Sequence, residues 1–473
     1  MKQAFFWKLL ERFGVQGIQF ILQILLARIL SPEHYGILSL MLIFTALANV
    51  FIQNGFNTAL IQNKDVTEED YSSVFWVSLG IAAVMYGIIY ISAPAIAVFY
   101  SMPDIVLPLR VLALTLIPGA FNSIQLAKVS REMDFKKVFY SNIAGILLAG
   151  IVSIVIAYMG GGLWALVVQN MLNIIVACIV MLFTVKWRPQ VVCNWKRICV
   201  LFRFGWKILV SGLLNTLYQN LCGLVIGKKY DSETLAYYDR GNQFPQFIIT
   251  SINSTVQSVM LPAMSAEQDN KTKVKEMMRT SITISAYIIF PMMAGLAAVA
   301  TPLVKLLLTE KWLLCVPYMQ LCCFTLAFHP IHICNLQAIT AMGRSDIFLR
   351  LEILKKGIAV AALCVVVACF DSPIAISMTG VFTTTFSCLI NAAPNKKLID
   401  YSYFEQMGDL LPTFFASLTM MVFVMMLGML ELPVLFLLIL QVCTGIFVYL
   451  LISVIFRLKP FQLLLTMAKM RRK

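Results

Sequence analysis

Fourteen stretches of this chain are apolar enough, for about twenty residues each, to call for a lipid bilayer. They run over roughly 5–30, 36–61, 73–99, 105–127, 138–159, 162–185, 204–226, 241–262, 280–304, 313–341, 353–370, 373–393, 410–430 and 432–456. In hydrocarbon every backbone N–H and C=O must be paired within its own segment, so such stretches become helices. Composition agrees: 60% of the 473 residues are hydrophobic and only 13% are charged, against about 25% charged in a soluble domain. The pattern predicts an all-α polytopic membrane protein with 14 transmembrane helices. A net charge of +14 would suit nucleic acid. Most of the lysines and arginines, however, fall in short loops on one side of the predicted spans, which is a topology signal, and no nucleic-acid partner is expected. Arg12, Arg28, Arg110, Lys228, Lys229, Arg240, Lys305 and Lys311 are the exceptions. The bias predicts both termini in the cytoplasm and an even number of spans. Met1 to Lys8 leads straight into the first span, so no cleavable signal peptide is expected.

The chain repeats itself. Glu11-Arg12-Phe13-Gly14 opens the first span and Phe202-Arg203-Phe204-Gly205 the seventh. Ser92-Ala93-Pro94 matches Ala300-Thr301-Pro302, and Thr115-Leu116 matches Thr325-Leu326. The loops Arg131 to Asp134 and Arg344 to Asp346 also correspond. Corresponding spans are six apart and therefore point the same way across the membrane, which makes this a parallel repeat. The expected architecture is two six-helix lobes around a central cavity, over 1–200 and 201–400. Helices 13 and 14 and a basic cytoplasmic tail follow over 401–473.

Polar residues interrupt four of the spans in stripes. In the first, Arg12, Gln16, Gln19 and Gln23 lie within roughly 60° of one another on a helix turning about 100° per residue. Arg28 stands near its far end. The second span carries Asn49, Gln53 and Asn57, and the seventh Ser211, Asn215 and Gln219. The eighth carries Asp239, Gln243, Gln246, Thr250, Asn253 and Gln257, with Arg240 beside its outer end. Any one amide is equally well explained as a hydrogen bond between helices. The whole set falls on repeat-related spans 1, 2, 7 and 8, and a shared aqueous cavity explains that better. The arginines can also snorkel to the interface. Together with Lys228 and Lys229 they would make the outer mouth positive, which suits an anionic, hydroxyl-rich cargo.

All 23 acidic residues lie in loops or within a few residues of predicted span ends. A cation-coupled antiporter usually needs a carboxylate at depth, so a multidrug or small-solute antiporter is the second reading, with a non-transporting scaffold the third. His329 and His332 sit one turn apart, but no third ligand is evident and no metal is expected. The 12 cysteines are scattered, mostly in apolar runs, and read as packing residues. No P-loop or other catalytic motif is present, so neither an enzyme nor a cofactor is expected.

The stretch Leu26-Ala27-Arg28-Ile29-Leu30-Ser31-Pro32-Glu33-His34-Tyr35-Gly36, followed by Asn54-Gly55-Phe56-Asn57-Thr58-Ala59-Leu60-Ile61-Gln62, resembles the opening of bacterial polysaccharide flippases. Ser130-Arg131-Glu132-Met133-Asp134-Phe135 and Ala236-Tyr237-Tyr238-Asp239-Arg240 do so as well. The resemblance is to the Wzx-like polysaccharide transporters of the multidrug/oligosaccharidyl-lipid/polysaccharide exporter superfamily, and it covers nearly the whole chain. It implies flipping of undecaprenyl-pyrophosphate-linked oligosaccharide across the bacterial inner membrane for surface polysaccharide, by alternating access. It also implies membrane lipids, a polysaccharide polymerase and glycosyltransferases as partners. By position, Arg12, Arg28 and Arg240 are the candidates for the pyrophosphate. A lipid II-type flippase shares the architecture, so fold alone leaves the cargo open.

Overall fold

The structure is a computed structural model describing Trp7, Leu10 and residues 14–53, 56–62 and 65–470, without the side chains of 58, 62, 204, 251, 253–259 and 467–470. The described residues contain helices and connecting turns and no strand. They divide into two compact units, Met1–Ala236 and Tyr237–Lys473. The first holds α1 (Gln16–Ile29), α2 (Pro32–Gln53), α3 (Phe56–Gln62), α4 (Glu68–Tyr100), α5 (Val106–Ala113), α6 (Leu116–Glu132), α7 (Phe135–Tyr158), α8 (Leu163–Thr184) and α9 (Trp195–Lys229). Helix α10 (Ser232–Ala266) runs across the boundary. The second unit continues with α11 (Lys271–Ala298), α12 (Ala300–Leu307), α13 (Val316–Ala327), α14 (His329–Ala341), α15 (Ser345–Cys369), α16 (Pro373–Ile399), α17 (Tyr403–Leu427), α18 (Val434–Ile455) and α19 (Lys459–Met470).

Eleven of the described helical segments are long and apolar enough to cross a membrane. The three other predicted spans are also helical. The described part of α1 has 14 residues, α10 is diluted by its amides, and α15 carries Glu352, Lys355 and Lys356. Several helices run well past the predicted spans. At 33 residues, α4 is about 50 Å long against about 30 Å of hydrocarbon, so part of it stands clear of the bilayer. Its first turn is closed by a capping box, in which Thr67 Oγ1 accepts from the Asp70 amide and Asp70 Oδ2 accepts from the Thr67 amide.

The fourth and tenth predicted spans are each broken in the middle, and in the same way. Each opens with a 3-10 turn, Pro103–Ile105 in one unit and Glu310–Cys315 in the other. Each then breaks, between α5 and α6 at Leu114-Thr115 and between α13 and α14 at Phe328. Thr115 Oγ1 donates to the Leu112 carbonyl at 2.6 Å, a local bond that competes with the helix ladder. Pro330 stands in the first turn of α14, where its missing N–H leaves no helix bond unmade. The ninth span divides likewise at Val299. Pro302 then falls in the first turn of α12, whereas Pro94 lies inside the continuous α4.

One core in the first unit gathers Phe56, Tyr71, Phe75, Ile124, Val138, Met181 and Trp187. In the second, Met264, Met278, Ile282, Phe290, Ile331, Cys334 and Tyr401 do the same. Helices α17 and α18 dock on α11: Tyr449 Oη donates to the Tyr287 carbonyl at 2.7 Å, and Tyr287 Oη to Ser453 Oγ at 2.9 Å.

Candidate functional site

Within the first unit the predicted stripes meet different surroundings. On α1, Gln19 is exposed and Gln23 half-buried, while Gln16 Oε1 is shut in without a partner among the described residues. Leu22 of the same helix packs so closely on α7 that a Cβ on Gly150 would lie 2.5 Å from it. Arg28 is exposed in the last turn, next to a bend where Ser31 Oγ and His34 Nδ1 are 2.9 Å apart. Arg12 lies outside the described residues.

Asn49, Gln53 and Asn57 gather along the seam between α2, α3 and α6. Asn49 Nδ2 donates to the Thr45 carbonyl at 3.0 Å, and Gln53 Nε2 donates to Asn49 Oδ1 at 3.4 Å. Ser123 Oγ on α6 donates to Asn57 Oδ1 at 3.4 Å. Gly119 lets α6 pass close to Asn49 Oδ1, 3.7 Å from where a Cβ would stand. The same helix carries Asn122 and Gln125, neither of them among the predicted site residues. Asn122 Oδ1 and both polar atoms of the fully buried Gln125 are buried with no partner among the described residues. An unsatisfied buried amide costs roughly 1–3 kcal/mol, so such groups ask for a water or a polar ligand.

Among the eleven long apolar spans described, α9 is the least covered: only 6% of its most apolar stretch is buried. Ser211, Asn215 and Gln219 are all exposed along one face, and Val210, Leu214 and Leu217 along another. Amides facing hydrocarbon are costly and exposed aliphatics are not, so the polar face belongs to water and the apolar face to lipid. The helix is held against α2 by Gly223 and Gly227, a pair of glycines four apart that admits Ile43 and Leu40 closely. Lys228 Nζ donates to the Phe99 carbonyl and stands 4.3 Å from the Phe99 ring centroid, which ties this cation to α4.

In the second unit, Arg240 is only 7% exposed. It donates to Gln243 Oε1 at 2.5 Å and lies 5.5 Å from the Trp312 ring centroid. A desolvated guanidinium gains from an aromatic face, by about 2 kcal/mol or more. Tyr237 packs edge-on against the same indole at 6.0 Å, and Tyr238 against Tyr318 at 6.0 Å. Gly241 makes the seat possible, since a Cβ there would stand 2.7 Å from the Cys315 carbonyl oxygen. Asp239 is half-buried beside this group and Gln246 is exposed one turn on. The structure therefore joins Arg240 and Gln243 from the predicted set and adds Trp312, whose place 72 residues downstream leaves no periodic signal. The side chains of Asn253 and Gln257 lie outside the described residues.

A further polar group joins α14, α16 and α17. Asn335, Asn395 and Gln406 are fully buried and bonded to one another at 2.7 to 3.1 Å. Next to them Asn391 Nδ2 lies 3.2 Å from His332 Nδ1. The spacing of Asn391 and Asn395, one turn apart, was the only local sign of it.

The sequence profile of a family described as polysaccharide biosynthesis protein matches residues 25–317. The succinoglycan biosynthesis transport protein ExoT of Rhizobium meliloti (strain 1021) is 24% identical over 65% of this chain and 62% of its own length. The teichuronic acid biosynthesis protein TuaB of Bacillus subtilis (strain 168) is 25% identical over 64% of this chain and 63% of its own. The lipopolysaccharide biosynthesis protein WzxC of Escherichia coli (strain K12) is 21% identical over 76% and 73%. The matched stretch thus spans less than two thirds of the first two relatives. In fold, the chain resembles the lipid II flippase MurJ in an inward closed conformation, with a TM-score of 0.74 at 14% identity over 96% of this chain and 99% of that one. An inward-facing multidrug resistance transporter of the MATE family gives 0.63 at 15% identity over 82% and 98%. With more than half of its length matched by the profile, the chain is a multi-pass membrane protein that belongs to the polysaccharide biosynthesis family of Wzx-like transporters.

Proposed function

We propose that this protein flips undecaprenyl-pyrophosphate-linked oligosaccharide from the inner to the outer leaflet of the bacterial inner membrane, by alternating access of two lobes. Fourteen spans and cytoplasmic termini complete this reading. The observation that carries it is the exposed row Ser211, Asn215 and Gln219 on a membrane helix of a chain in this family. Neutral amides and hydroxyls are donors and acceptors matched to sugar hydroxyls, and they leave the prenyl chain to the lipid. The cationic groups Arg28 and Arg240, each toward the outer end of its span, are the candidates to meet the pyrophosphate, since charge-assisted bonds from guanidinium to phosphate are the strong ones. A polymerase and glycosyltransferases would supply and consume the cargo.

The test uses a strain lacking its own flippase gene and scores surface polysaccharide at matched membrane expression. The double variant Asn215→Leu with Gln219→Leu is expected to abolish export while melting like the wild type, because both side chains are exposed and their own unit loses no packing. Wild-type export by this variant would refute the reading. Drug resistance driven by a proton or sodium gradient would put the protein among the antiporters instead.

A further inference from the structure

The first unit has a groove of about 590 Å³ where α9 begins, apart from the polar stripes. Its floor is Phe56 and Ile198, both buried, and Val77 and Ile81 of α4 form one wall. Phe202 leans on Phe56 at 6.0 Å between ring centroids. Trp195 and Trp206 flank the opening and are 67% and 45% exposed. Exposed tryptophans at the end of a membrane helix mark the headgroup level. Arg203 stands on the lining, exposed, with no hydrogen-bond or ion-pair partner among the described residues. Lys196 and Lys207, exposed on either side of it in the chain, add to the positive charge. Arg197, by contrast, is already taken by Asp70 at 2.6 Å.

We propose that this groove binds an anionic glycerophospholipid, with one acyl chain lying between α4 and α9 and the phosphate on Arg203. The chemistry is complementary at both ends: aliphatic and aromatic walls reach toward the hydrocarbon, and an unpaired guanidinium stands at headgroup depth between two tryptophans. The volume falls within the range of about 300–1,000 Å³ typical of small-molecule sites, enough for a chain segment lying in an open groove. A guanidinium left beside hydrocarbon gains by holding a phosphate through two parallel bonds. The site is independent of the cargo, because none of its lining residues belongs to the amide stripes. It makes α9, the least covered of the eleven long apolar spans described, dependent on a resident lipid.

The experiment is native mass spectrometry of the full-length protein in mild detergent, titrated with phosphatidylglycerol, phosphatidylcholine or undecaprenyl phosphate. One phosphatidylglycerol should bind in preference to phosphatidylcholine. Arg203→Ala should weaken it about fivefold, the worth of one basic residue at a lipid surface, and Arg203→Lys should weaken it less. Cys199→Phe, which fills the groove from an exposed lining position, should abolish binding with Arg203 intact. If Arg203→Ala binds like the wild type, the site is refuted. If Cys199→Phe has no effect, the lipid is held by surface charge and the groove plays no part. If undecaprenyl phosphate alone is retained, the occupant is a cargo-type lipid and the proposal fails.

Discussion

Gly36 offers a sharp test of how the first unit is assembled. It lies in the second turn of α2, against the first residue of α10. A Cβ built there would stand 1.7 Å from the Ser232 carbonyl oxygen, 2.4 Å from its carbon and 2.9 Å from its Cα. Ordinary contact begins at 3.4 Å, so Gly36→Ala forces the two helix ends apart by nearly 2 Å. The obstructing atoms are backbone and cannot rotate away, which puts the cost near the upper end of the overpacking range, about 3 kcal/mol. That is about a hundredfold in the population of the state with these helix ends in contact. Polysaccharide export in a flippase-deficient strain should fall by a comparable factor if this state is an obligatory step. A second variant, Ser232→Gly in the Gly36→Ala background, should restore nothing, because the carbonyl remains. Melting in detergent separates a trapped protein from an unfolded one. If Gly36→Ala exports and melts like the wild type, the close approach is not part of the working structure and the reasoning fails.

Three other outcomes follow from particular contacts. Asn335→Ala cuts three bonds to Gln406 and Asn395, and at about 0.6 kcal/mol each in a membrane protein the loss is about 2 kcal/mol, read as an earlier thermal transition. An unchanged transition would mean that the amides find other partners. Asp70→Asn weakens the two-bond pair with Arg197 at 2.9 and 2.6 Å. Because Arg197 is 36% exposed, solvent screens the pair and the loss is modest, with faster tryptic cutting between Lys186 and Lys196 as the expected sign and unchanged cutting as the refuting one. Trp312→Phe keeps a ring near the Arg240 guanidinium, so it should be about 1 kcal/mol more stable than Trp312→Leu. Equal stability would remove the cation–π contact from the account of this site.

Much of the fold is legible along the chain because hydropathy is a local property. Every predicted span is met by a helix among the described residues, and the amides of α2, α9 and α10 stand out because they interrupt apolar runs. The breaks at Leu114-Thr115 and Phe328 were not legible in the hydropathy, which does not distinguish a straight helix from two short ones. Gln125 escaped notice as a site residue because its surroundings are supplied by other helices.

The sequence by itself determined the solvent, the helical class and the polar faces, since each depends on residues within a few turns of one another. Tertiary structure decided what those faces touch. Asn335 meets Gln406 across 71 positions, Asn57 meets Ser123 across 66, and Arg240 meets Trp312 across a similar gap. The groove beside Arg203 draws its walls from α3, α4 and α9. Such groupings depend on which helices pack together. Packing is set by close approaches such as Gly36 on Ser232, which no count of apolar residues contains.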